Sequence, residues 1–240
     1  MLEKNRQKKL LAGFDRMARS VRLRLLEHYP AKLVWGAIAD TRRELEALIP
    51  SIPYIGEKHV WQSNLDTSTM YLALYRTLKK RGFTVNEAAQ MTYVIFEAYL
   101  KSFPNLLRRV YPWYYFSPLY QNRLRHAAAA SQLRQYPEDW VFTYVEGDSF
   151  TFDTGIDITE CAILKFSLAQ GTEEFVPQLC KLDHAMGKYL GLGFARRGTL
   201  AEGATVCDCR WKRGAETPNW TPVIDPVYKE ETWKPSLNNT

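Results

Sequence analysis

All four cysteines of this chain lie between residues 157 and 213, interleaved with carboxylates and bases, and none occurs before Cys161. Cys161 and Lys165 are four apart. A helix would therefore put thiol and ammonium on one face, where the cation would lower the thiol pKa or hold a carboxylate. Asp157 and Thr159 are candidate caps just upstream. A cysteine in the first turn after such a cap sits among free amide N–H groups at the positive helix end, where a thiolate is favoured. Cys180 and Asp183 are three apart and share a face of a second helix. Cys207 and Cys209 alternate with Asp208, so a regular strand would point both thiols one way and the carboxylate the other.

Each thiol also has a plain structural reading, since free cysteines commonly pack as small apolar side chains. Together with His184 they could also form a zinc set, although the paired C-x-x-C spacing of structural zinc sites is missing. The chain contains no G-x-S-x-G, no H-E-x-x-H, no Walker loop and no dinucleotide-binding glycine fingerprint. No cofactor or metal is expected.

The elements that must position these residues fall into two halves. Leu10, Phe14, Met17, Val21 and Leu25 recur at helical spacing, predicting a helix over 6–28 whose Lys- and Arg-rich face is solvated. A second helix is expected over 31–48, ending before Pro50 and Pro53. A third is expected over 67–80, and a fourth from the Thr84–Glu87 capping box to about Ser102. The stretch 103–118 mixes Pro, Arg and aromatic residues and reads as irregular. It would suit a ligand pocket or an RNA-stacking surface, but packing on the core is the preferred reading. Helix-forming residues return over 121–135. From Trp140 the period changes to two, predicting a hairpin of Trp140–Val145 with Phe150–Ile158 around Gly147–Asp148. Helices over 159–170 and 172–190 and a strand over 204–211 complete the order, with Gly191 ending the second helix. This order predicts a single α+β domain over 1–213: a helical N-terminal layer over about 1–135, then a small antiparallel sheet with two helices over 136–213. Residues 214–240 carry Pro218, Pro222, Pro226 and Pro235 and read as a Pro-rich surface tail.

Three blocks carry a resemblance. Asp157-x-Thr-Glu-Cys161-x-x-x-Lys165 is followed by Gly171-x-Glu-Glu-x-x-Pro-x-x-Cys180-x-x-Asp183. Then comes Arg197-x-Thr199-Leu-Ala-x-Gly203-x-x-x-Cys207-Asp208-x-Arg210. With Ile49–Gly56, Leu72–Lys79 and Gly82–Glu87 upstream, residues 45–213 resemble the L-2-amino-thiazoline-4-carboxylic acid hydrolase family. The departures are Cys209, where the family pattern has an aromatic residue, and His184. The resemblance implies hydrolytic opening of a small sulfur- and nitrogen-containing ring, which calls for a nucleophile, a proton carrier and a cation. It implies Cys161 as nucleophile, Asp183 or Glu160 as proton carrier, and Lys165, Arg197 or Arg210 on the substrate carboxylate. Cys180, Cys207 and Thr199 would line the pocket. A water route with Asp183 or Asp208 as base needs the same scaffold. So would a different ring opening, cyclisation or elimination, or a non-catalytic thiol-based binding protein.

Composition narrows the setting. The 240 residues are 46% hydrophobic with seven Trp, enough for a substantial core, and carry a formal charge of +6. With no apolar run of about 20 residues and no secretory leader pattern, the expectation is a cytoplasmic protein with reduced thiols. Its expected partner is a small carboxylate-bearing substrate, with neither nucleic acid nor membrane, and a homo-oligomer is compatible with these features.

Overall fold

The computed structural model describes residues 2–56 and 59–217, which divide into two compact units: 2–52 with 66–102, and 53–65 with 103–217. The expected Pro-rich tail lies outside the described residues from residue 218 on.

The first unit is built from helices α1 (Leu2–Leu26), α2 (Ala31–Leu48), most of α3 (Gln62–Lys79) and α4 (Val85–Ser102). The apolar stripe read from α1 is buried in full where the helix packs on α2 and α4, whose Leu33, Val34, Leu45, Met91 and Val94 are buried as well. The polar side of α1 stays at the surface, where Asp15 accepts a hydrogen bond from Arg42 at 2.9 Å. The capping box forms as spaced: the Glu87 amide donates to Thr84 Oγ1 at 3.3 Å and the Thr84 amide to Glu87 Oε2 at 2.7 Å. Helix α3 starts five residues before the expected Thr67. His59 Nδ1 accepts the Trp61 amide at 3.1 Å, supplying an upstream cap from a residue type that cap rules do not favour.

In the second unit the Pro-rich stretch is helical, which corrects the irregular reading. Helix α5 (Asn105–Tyr115) and helix α6 (Pro118–Ser131) form because two of the prolines stand at helix starts. Pro104 is the N-cap of α5 and Pro118 opens α6, positions where no intrahelical N–H bond is lost. Ser117 caps α6, accepting from the Tyr120 amide at 3.3 Å. Pro112, the remaining proline of the stretch, lies inside α5.

The hairpin is present, as strands β1 (Val141–Glu146) and β2 (Thr154–Glu160), but its connection is longer than expected. Asp148 accepts amide bonds from Phe150 and Thr151 at 2.9 and 2.7 Å, so residues 150–152 close a loop instead of starting a strand. Helix α7 (Ala162–Ala169), a short 3-10 turn (Glu173–Phe175) and helix α8 (Val176–Leu190) follow. Asp157 and Thr159 belong to β2, and the N-cap of α7 is Cys161 itself. Gly191 ends α8 at φ 66°. Strand β3 (Phe194–Ala195), a 3-10 turn (Leu200–Glu202) and strand β4 (Cys207–Trp211) complete an antiparallel sheet of order β1-β2-β4-β3. The α+β class holds. Among the described residues no helix is long and apolar enough to cross a membrane.

Candidate active site

The register of β4 decides which side chains meet. Ile156 pairs with Cys209, Asp157 with Asp208 and Ile158 with Cys207, so alternation puts both thiols on the face carrying Ile156 and Ile158. Asp157, Asp208 and Arg210 occupy the other face. Strand β3 adds Phe194 opposite Trp211 and Ala195 opposite Arg210. Extending the same alternation sends Arg196 to the thiol face and Arg197 to the carboxylate face.

The contacts agree. Arg196 Nη1 donates to Asp183 Oδ2 at 2.7 Å and lies 3.9 Å from Cys209 Sγ, while its Nη2 donates to the Cys180 carbonyl at 2.6 Å. The Arg196 side chain is 6% exposed, against 41% for Asp183. Burial by itself would favour the neutral guanidine, but Asp183 and the neighbouring thiols outweigh it and keep Arg196 charged. The Phe194 ring lies 5.2 Å below the guanidinium. Arg197, by contrast, is 92% exposed along its side chain and donates to Asp208 Oδ2 at 2.7 Å.

All four thiols are free. Cys207 and Cys209 are buried, and Cys161 and Cys180 keep partial exposure. Burial pushes the Cys161 thiol up to about 11 and the Cys209 thiol up to about 12, and raises Cys180 and Cys207 as well. The resting site therefore holds neutral thiols beside one buried cation. Each thiol also has groups that would receive a negative sulfur. The Leu164 and Ile163 amides and the Trp140 indole lean toward Cys161 and oppose the upward push, without closing a regular cap hydrogen bond. The Leu200 amide donates to Cys207 Sγ at 3.1 Å. Cys161, Cys180 and Cys207 stand close enough for their charges to act on one another, and Asp183 acts on Cys180, Cys207 and Cys209.

The other expected residues have their main side-chain partners elsewhere, although the Lys165 charge still acts on Cys161. Lys165 donates to the Pro137 and Asp139 carbonyls at 2.7 and 3.0 Å and pairs with Glu160, which also binds Arg134. Arg210 holds Asp157 at 2.7 Å on the carboxylate face. Thr199 is buried and caps the 3-10 turn, donating to Glu202 Oε2 at 2.8 Å. Asp208 accepts the Arg197 and Gly198 amides at 2.9 and 3.1 Å, which ties the β3–β4 connection together. Cys161, Cys180, Asp183, Cys207 and Cys209 thus gather at one place, whereas Lys165, Arg197, Thr199, Asp208 and Arg210 hold the walls.

Three participants escaped the sequence reading: Arg196, Trp140 and Tyr115. Phe194 is the signal that could have found Arg196. An inward aromatic two residues before an arginine on a strand path puts that arginine inward as well. Trp140, 3% exposed, is fixed by a stacked His59 at 5.5 Å, whose Nε2 lies 3.2 Å from Asp139 Oδ1. Tyr115 comes from the buried side of α5 and is held protonated, first by burial and then by its neighbours, Cys209 and Asp183 among them. Among the described residues no three His, Cys, Asp or Glu side chains converge as metal ligands.

Residues 64–211, more than half of the chain and including every residue of the thiol cluster, match the family model of L-2-amino-thiazoline-4-carboxylic acid hydrolase. No curated protein and no solved structure matches the chain.

Proposed function

The chain belongs to the L-2-amino-thiazoline-4-carboxylic acid hydrolase family, and on that premise we propose that it opens a small 2-aminothiazoline-4-carboxylate-type ring with Cys161 as nucleophile. The observation that carries this reading is a buried Arg196 that stays charged among the neutral thiols of Cys180, Cys207 and Cys209, the first two of which stand close enough to Cys161 for their charges to act on one another. A carboxylate-bearing substrate calls for a desolvated cation, and Arg196, which contacts Cys209 and the Cys180 carbonyl and acts on Cys207, supports that role.

The Cys161 thiol carries its proton at neutral pH, because burial holds its pKa at about 11. The amidine nitrogen of the ring is a base that can take this proton as the substrate binds. The same transfer makes the ring carbon between nitrogen and sulfur more electrophilic. Sulfur of Cys161 adds to that carbon, the ring carbon–sulfur bond breaks, and the leaving sulfur takes up a proton. The enzyme then holds an isothiourea. Water adds to the same carbon, Cys161 departs and regains its proton, and the product is an N-carbamoyl cysteine with one water consumed. The Ile163 and Leu164 amides at the start of α7 and the Trp140 indole receive the sulfur charge as it forms and departs. Asp183, partly exposed and paired with Arg196, takes a proton from the attacking water in this reading.

A water-only route with Asp183 as base is the second reading, favoured by the exposure of that carboxylate. Mass spectrometry of the protein mixed with L-2-amino-thiazoline-4-carboxylate decides. A ring-opened carbamoyl cysteine with a transient adduct on Cys161 supports the covalent route. Product without any adduct, together with full turnover by Cys161→Ser, replaces it by the water route. No product at all overturns the substrate assignment.

A further inference from the structure

Helix α5 turns one side to the thiol site, through Tyr115, and the other to solvent. On that outer side Leu106, Leu107, Val110, Trp113 and Tyr114 fall at positions i, i+1, i+4, i+7 and i+8, one continuous apolar arc. All five are exposed, Leu106 at 70% and Trp113 at 67%. Leu119, at the start of α6, is 77% exposed. A water-soluble face of this kind would carry charges, and this one is aliphatic and aromatic instead. Its borders are basic. Arg109 is exposed beside the arc, and the Arg213 guanidinium lies 3.7 Å over the Trp113 ring. In sequence the asymmetry is wider. From Ala98 to Pro137 there is no acidic residue, while Lys101, Arg108, Arg109, Arg123, Arg125 and Arg134 all fall there; of these Lys101, Arg125 and Arg134 pair with Glu97, Glu146 and Glu160 and add less to the charge.

We propose that the exposed face of α5 docks this protein on an anionic lipid surface, lying in the headgroup region with Leu106, Leu107, Val110 and Trp113 inserted. This is independent of the reaction assigned above. An interfacial helix combines an apolar face that enters the acyl boundary with basic and Trp or Tyr residues that sit at headgroup level, which is the composition here. A second copy of the chain fits less well. A twofold axis through an acid-free helix would bring Arg109 toward its own counterpart with no carboxylate of that helix to offset it. Nucleic acid fits less well too, because Leu106, Leu107, Val110 and Leu119 offer no stacking surface to bases.

The test is co-sedimentation of the full chain with vesicles of phosphatidylcholine alone and of phosphatidylcholine mixed with phosphatidylglycerol. Binding should be stronger on the anionic vesicles. The double variant Leu106→Glu/Trp113→Glu should weaken it by about tenfold or more. Arg109→Ala should weaken binding roughly fivefold on the anionic vesicles only. Both variants change exposed side chains, so an unchanged thermal melt separates lost docking from lost fold. The proposal is overturned if wild type and double variant partition equally. It is also overturned if light scattering shows a dimer that the glutamates dissociate, or if polyuridylate binds and the vesicles do not.

Discussion

Asp157 and Asp208 stand directly opposite one another across β2 and β4, two carboxylates on one face of a sheet. Like charges in that position destabilise a strand pair, yet this one is held because each acid has its own arginine. Arg210 donates to Asp157 at 2.7 Å and Arg197 to Asp208 at 2.7 Å. Alternation along β4 puts Cys207 and Cys209 together on the far face, and the register sets them opposite Ile158 and Ile156. Through these ion pairs both carboxylates have a structural part in holding the sheet that carries the thiols.

Asp208→Asn should lower stability by about 1–3 kcal/mol, since the carboxylate accepts two amide bonds and a guanidinium bond. Burial works against its ionisation, but Arg197 and the two amides prevail and hold its pKa below the usual carboxylate value. A depressed pKa stabilises the fold above the unfolded value of about 3.9, and the contribution is lost as pH falls through the folded value. Chemical denaturation across acidic pH should show wild type losing its advantage over Asp208→Asn only below about pH 4.

Cys161→Ser should remove turnover by at least about a thousandfold while leaving the melting temperature close to wild type. Loss of both together would assign Cys161 to packing instead.

With its pKa raised to about 11, the Cys161 thiol should react sluggishly with iodoacetamide at neutral pH. Its rate should climb about tenfold per pH unit toward that value. Peptide mapping after alkylation reads this directly, and a plateau near pH 7 would contradict the enclosed, neutral thiol.

Arg196→Met should raise KM for a carboxylate substrate roughly tenfold or more, with Arg196→Lys restoring part of the loss. Arg197→Ala should leave KM unchanged, because that side chain is bound to Asp208 on the opposite face. Steady-state kinetics on both variants checks the pair. Equal effects would break the distinction drawn from sheet alternation.

Gly187 lies in α8 where a Cβ would come within 2.5 Å of Phe194 Cβ and 2.8 Å of Thr217 Oγ1. Gly187→Ala should push β3 from the helix, at a loss of about 1–3 kcal/mol. Because β3 leads into Arg196, activity should fall more than the melting temperature alone explains.

Much of the architecture was legible because it rests on local rules. The α1 stripe, the Thr84–Glu87 box, Gly191 and the period-two hairpin each declare themselves within a few residues. The Pro-rich stretch misleads because proline reads as a breaker, whereas Pro104 and Pro118 occupy helix starts. The caps expected at Asp157 and Thr159 failed because β2 runs on to Glu160. Its pairing with β1 claims those residues before a helix can begin.

The site divides in the same way. The clustering of the thiols, the common side of Cys207 and Cys209, and the family resemblance all follow from residue types and spacing. Which cation joins the thiols does not, since Arg196 and Arg197 are adjacent and chemically identical. Only the pairing of β3 with β4 gives one to the thiol face and the other to the carboxylate face. The thiol pKa values likewise depend on burial among elements distant in the chain. Periodicity and caps act over a few residues and are written in sequence, whereas desolvation and strand register arise from contacts that exist only in the folded chain.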